Sequence, residues 1–171
     1  MTNTNRKALT AVLILVLVSA VFAGAAEWKT AKASDFSLMW MVDGANLNVK
    51  LSAPVEGWVA VGFAPTNKMK DANIIIGYVE NGSVVIEDHF GNSQISHKSD
   101  VSLGGKDNLT NKTGNEQNGV TEISFTFPLN SGDPNDRVLV PGESYKVIFA
   151  SYSKDKITIK HSSRTSTNIT L

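Results

Sequence analysis

Apolar and polar residues alternate with a period of two in the patterned segments that follow residue 26. Leu47, Val49 and Leu51 share one face, as do Ile123, Phe125 and Phe127, while Met39 and Met41 oppose Trp40. Successive side chains of a strand point to opposite faces, so this pattern makes half-buried strands and no helix of useful length. Further strands are predicted over 57–63, 74–79, 83–88, 145–151, 157–160 and 168–171, beside those over 37–42, 46–51 and 120–127. The pair around Asn81-Gly82 carries a hairpin dipeptide. Eight or nine short strands parted by Gly, Asn, Asp and Pro turns predict an all-β fold, an antiparallel β-sandwich of immunoglobulin-like type.

The first 26 residues do not fit this pattern. Arg6 and Lys7 precede an apolar run over 8–22 and then Ala23-Gly24-Ala25-Ala26, the three regions of a secretory signal peptide cut near Ala25 or Ala26. An uncleaved N-terminal anchor is the second reading, since the run approaches bilayer length. Both readings put residues 27–171 outside the cytoplasm as a single domain. Without Arg6 and Lys7 the chain keeps 14 basic against 16 acidic residues, a near-balance that argues against nucleic acid or an anionic membrane surface as main partner. Cysteine is absent, which excludes disulfides, thiolate nucleophiles, iron–sulfur clusters and covalently attached haem.

Two residues stand out against the sandwich pattern. Met69 lies in Ala64-Pro65-Thr66-Asn67-Lys68-Met69-Lys70-Asp71, a polar loop in which a thioether buries little unless the loop folds back or the sulfur has a soft partner. His161 ends the alternation Ile157, Ile159, His161, so its ring is expected on an apolar side at a strand end, either satisfied in the core or free to ligate. His89 and His97 read as surface histidines beside turns, with a carboxylate and imidazole metal site across that loop the minor reading. Residues 92–119 read as a partly ordered excursion. No Ser, His and Asp order and no paired carboxylates suggest catalysis.

The block Gly57-Trp58-Val59-Ala60-Val61-Gly62-Phe63, followed by Met69, Asp71-Ala72-Asn73, Ile76-Gly77-Tyr78-Val79, Asp88, Gly119-Val120-Thr121 and His161-Ser162-Ser163-Arg164, resembles the DOMON domain. It is most similar to the haem-binding branch typified by the cytochrome domain of cellobiose dehydrogenase. The resemblance implies a non-covalent haem b in a pocket at one end of the sandwich. By motif position Met69 and His161 carry over as axial ligands of the iron, with Lys160 and Lys156 as fallbacks for the histidine. Arg164, Lys68 and Lys70 are candidate partners for the haem propionates. Trp58, Phe63, Tyr78, Phe90 and Trp40 are candidate pocket-lining residues.

The resemblance thus implies an exported electron carrier with no substrate chemistry of its own. Its partner would be a redox protein or a membrane electron-transfer component, with membrane attachment only through an uncleaved N-terminal segment. A ligand-binding module for carbohydrate, or an adhesion module, is the alternative that the same superfamily implies.

Overall fold

The computed structural model describes residues 26–171; the signal-peptide expectation concerns residues outside that range. Eleven strands run through the described residues: β1 (Lys29–Ala33), β2 (Phe36–Asp43), β3 (Asn46–Ala53), β4 (Val59–Phe63), β5 (Asn73–Glu80), β6 (Ser83–Phe90), β7 (Lys98–Ser99), β8 (Thr110–Gln117), β9 (Val120–Pro128), β10 (Ser144–Ser151) and β11 (Ser163–Thr170). One 3-10 turn, Asp100–Leu103, follows β7. The strands make two antiparallel sheets, a five-stranded one in the order β1-β2-β3-β9-β8 and a six-stranded one in the order β11-β10-β4-β5-β6-β7. The expected sandwich is therefore the observed architecture.

The core lies between the sheets and follows from strand parity. Leu38 and Trp40 of β2, Leu47, Val49 and Leu51 of β3 and Ile123, Phe125 and Phe127 of β9 meet Val59, Val61 and Phe63 of β4, with Ile75, Val147 and Phe149 beside them. Aromatic rings fill the space across the interface: Phe63 lies 5.3 Å from Phe127 and Phe36 stacks at 5.4 Å on Phe149. With rings at these separations the interior is packed and leaves no room for a large ligand between the sheets.

The structure departs from the predicted elements at both ends of the pattern. Residues 157–160 form a turn, not a strand, closed by Ile159 N–H donating to the Lys156 carbonyl at 3.0 Å. Ile157 is apolar there because it packs onto a cluster on the outer face of the six-stranded sheet. The last strand begins at Ser163, not at residue 168. The excursion over 92–119 contains β7, the 3-10 turn and the whole of β8. β8 reads Thr-Asn-Lys-Thr-Gly-Asn-Glu-Gln, mostly exposed, and its pairing with β9 shifts register between Thr110 and Thr113. An edge strand covered by water on one side has no apolar alternation to announce it, and polar edges of this kind guard a sheet against foreign strands.

Candidate functional site

The six-stranded sheet has an apolar outer face, which no strand among the described residues covers. Parity in β4 turns Trp58, Ala60 and Gly62 outward, opposite to Val59, Val61 and Phe63. Antiparallel register then aligns Ile148, Gly62, Ile74 and His89 in one row across the sheet, and Arg164, Ala150, Ala60, Ile76 and Glu87 in the next. Trp58, Ala60 and Ile76 are buried there under Tyr78, Ala150, Tyr152 and Ile157. Gly62 is the low point of this floor: a Cβ on it would meet Ile148 Cγ1 at 2.8 Å and Ile74 Cγ1 at 3.1 Å.

The loop after β4 borders one end of this face. Its backbone is fixed against the segment after β6, with Met69 N–H donating to the Gln94 carbonyl at 3.4 Å and Asp71 N–H to the Gly91 carbonyl at 2.7 Å. Met69 is half-buried in that loop. Three residues beyond Gln94 comes His97, whose Nδ1 lies 2.9 Å from His89 Nδ1, while His89 Nε2 lies 2.9 Å from Glu87 Oε2. His161 occupies the loop between β10 and β11, half-buried.

Burial, then His89, then His161 pull the His97 pKa down to about 4. His161 itself is lowered by burial first and then by Arg164 and Lys160. The Met69 loop follows the Phe63 end of β4, whereas the loop that carries His161 follows Ser151 of β10, which pairs with Val59 at the other end of that strand.

Among the aromatic candidates the structure separates what the sequence grouped. Trp58 and Tyr78 belong to the outer-face cluster, whereas Phe63 is 0% exposed and points into the inter-sheet core. Phe63 therefore cannot line a site together with Trp58, because adjacent parities of one strand face opposite sides. Trp40 is core as well. The expected ring position of His161 by strand parity also lapses, since residues 157–161 are not a strand. Arg164 is exposed on β11, opposite Ala150. The sequence reading missed Ile74, Ile76 and Ile148 as floor residues, although the alternation in 57–63 gave the outward parity from which they follow.

The fit of a haem can be judged on this geometry. The chain offers a thioether at Met69 and an imidazole at His161, a donor pair suited to haem iron, and an apolar floor on the outer face of the six-stranded sheet. Trp58 Nε1 is buried on that face and no protein acceptor reaches it, a donor left for a carboxylate or another acceptor. Two small clefts lie elsewhere: one of about 190 Å³ by Gly104, Asn108 and Asp133, and one of about 160 Å³ by Phe36, Pro54 and Ser162. Neither is lined by Met69 or His161. The residues present thus fit haem through their donors and their apolar floor, on the outer face of the sheet.

Comparison with known proteins gives the family. The family profile described as DOMON domain matches residues 32–152. The chain belongs to the DOMON domain family. Among curated proteins, this DOMON domain is 29% identical over 118 residues to DBH-like monooxygenase protein 1 of Homo sapiens, across 69% of the chain and 18% of that protein. It is 20% identical over 123 residues to MOXD1 homolog 2 of Drosophila melanogaster, across 71% of the chain and 16% of that protein. The chain spans about a fifth of the length of the curated relatives it matches. In fold, the DOMON domain is similar to the cytochrome b domain of pyranose dehydrogenase from Coprinopsis cinerea, with a TM-score of 0.59, 14% identity, and coverage of 83% of this chain and 80% of that one. The cytochrome domain of Myriococcum thermophilum cellobiose dehydrogenase gives a TM-score of 0.59 at 10% identity, covering 85% and 82%.

Proposed function

We propose that this DOMON domain is an exported b-type cytochrome module that carries single electrons and performs no substrate chemistry of its own. The observation that carries the reading is the apolar outer face of the six-stranded sheet, with Met69 in the loop after β4 and His161 in the loop before β11. The likeness in fold to two cytochrome domains supports it. Haem b bound there supplies a one-electron iron couple.

The chain's own residues set how that couple behaves. Met69 and His161 would hold the iron through a thioether sulfur and an imidazole nitrogen, a pair that would leave no open site for oxygen and would favour the reduced iron. Ala60, Gly62, Ile74, Ile76 and Ile148 form a floor that excludes water. Arg164 and Trp58 Nε1–H are the donors for the propionates, and an arginine suits a carboxylate because its planar fork can donate twice. An edge near the surface suits a redox partner, a protein or a membrane component, since electron-transfer complexes are small and transient. The apolar run over 8–22 supports placing the domain outside the cytoplasm.

Alanine replacement at each ligand tests the assignment. Met69→Ala should fold, hold haem more weakly and show a five-coordinate or water-ligated spectrum with a lowered potential. His161→Ala should lose haem more severely. Retention of a six-coordinate low-spin spectrum by both variants would show that other residues ligate the iron.

A further inference from the structure

A second cluster of chemistry-bearing side chains lies on the other face of the same sheet, away from Met69 and His161. Asp88 on β6, Asp100 opening the 3-10 turn and Asp136 in the loop between β9 and β10 each bring a carboxylate oxygen within 4.8 Å of the others. Asp100 is 0% exposed and Asp88 4%. No protein donor reaches either carboxylate oxygen of Asp100, nor Oδ1 of Asp88, nor Oδ1 of Asp136. The ion pairs among the described residues are Lys112 with Asp107 and His89 with Glu87, and neither includes one of the three.

The remaining oxygens are held so that the free ones are directed. Asn108 N–H donates to Asp88 Oδ2 at 3.1 Å, while Asn108 Nδ2 donates to Asp136 Oδ2 at 2.9 Å and Ser131 Oγ to the same oxygen at 2.5 Å. Neighbours that hold one oxygen of a carboxylate and leave the other free are the usual support around a metal ligand. A fully buried carboxylate with no partner costs several kcal/mol, which a bare acidic cluster in a dry site does not offset.

We propose that Asp88, Asp100 and Asp136 bind one calcium ion, with Asp100 the central ligand. The donors are oxygens alone, which suits a hard cation and not zinc or copper. Three protein carboxylates within 4.8 Å of one another suit calcium, which takes six to eight oxygens in flexible geometry, better than magnesium, which keeps several waters and one or two carboxylates. The ion ties β6, the 3-10 turn and the loop before β10 together, three segments distant in sequence in a chain without a disulfide. Its role is structural, and it does not depend on haem at the other face.

The rival is a proton: the same acids stay neutral and no cation is needed. Melting of the purified full chain, treated with chelator and then supplied with calcium chloride, separates the two. At about 1 mM calcium and a dissociation constant on the order of 0.1 mM, the melting temperature should rise by about 4 °C. Isothermal titration calorimetry on the same protein should show one site. Asp100→Asn removes a ligand and a repelling charge, so it should fold, match or exceed the chelated parent in stability, and lose the calcium response. A parent that neither shifts in melting nor gives heat with calcium overturns the site, as does an Asp100→Asn variant that responds like the parent.

Discussion

At the scale of single residues, a glycine decides how closely the Met69 loop can be held. Gly91 is the sharpest case, because a Cβ there would sit 1.6 Å from the Met69 carbonyl oxygen and 2.7 Å from its carbon. Both chains are fixed at that point, Gly91 N–H to the Ala72 carbonyl and Asp71 N–H to the Gly91 carbonyl, so neither can yield cheaply. Gly91→Ala should therefore destabilise the fold by on the order of 2–4 kcal/mol. It should also weaken haem binding by displacing Met69, read as a higher dissociation constant in a haem titration beside the lowered melting temperature. An alanine variant with parental melting and parental haem affinity would show that the loop has slack where the structure gives it none.

At the scale of elements, legibility followed apolar contrast. Strands with one face in the core, such as β3 and β9, were readable because every second residue is buried. β1 and β8 were not, since Lys-Thr-Ala-Lys-Ala and Thr-Asn-Lys-Thr-Gly-Asn-Glu-Gln are edge strands whose pairing is made by backbone hydrogen bonds that any sequence can supply. The turn over 157–160 misled for the opposite reason, as Ile157 is half-buried by packing onto the cluster of Trp58, Ala60 and Ile76 without belonging to a ladder. Met69 and His161 stand out in the sequence as an anomaly and by motif position, but where their loops lie against the sheet has no local signal, because it depends on tertiary packing. The acidic triad left no local signal at all. Asp88, Asp100 and Asp136 meet only once β6, the 3-10 turn and the loop before β10 are in place.

At the scale of the whole molecule, the buried acids give stability an unusual pH dependence. Burial is the largest influence on both Asp88, raised from 3.8 to about 7, and Asp100, raised from 3.8 to about 8. Asp136, Asp107 and Asp133 add repulsion, and the Asn108 N–H and Lys112 oppose the rise at Asp88. A carboxyl with a raised folded pKa holds a proton that the unfolded chain has released, so its contribution is present at low pH and is lost as pH climbs through the folded value. His97, lowered to about 4, works in the other direction, but only below its unfolded value near 6.5. Chelated protein should thus lose melting temperature between about pH 6.5 and 8, and calcium should flatten the loss. Melting that rises across that window in chelator would contradict the buried, unpaired state of the triad.

The claim that the outer face of the six-stranded sheet holds haem through Met69 and His161 is tested most directly by the absorption spectrum of the purified domain, as isolated and after addition of haem. The account predicts a Soret band, sharp α and β bands on reduction, and little or no change when carbon monoxide is added to the reduced form, because both axial positions are filled. A colourless protein that haem does not titrate would contradict it and favour a module for another ligand such as carbohydrate; rapid carbon monoxide binding would contradict the ligand pair and show an open iron site.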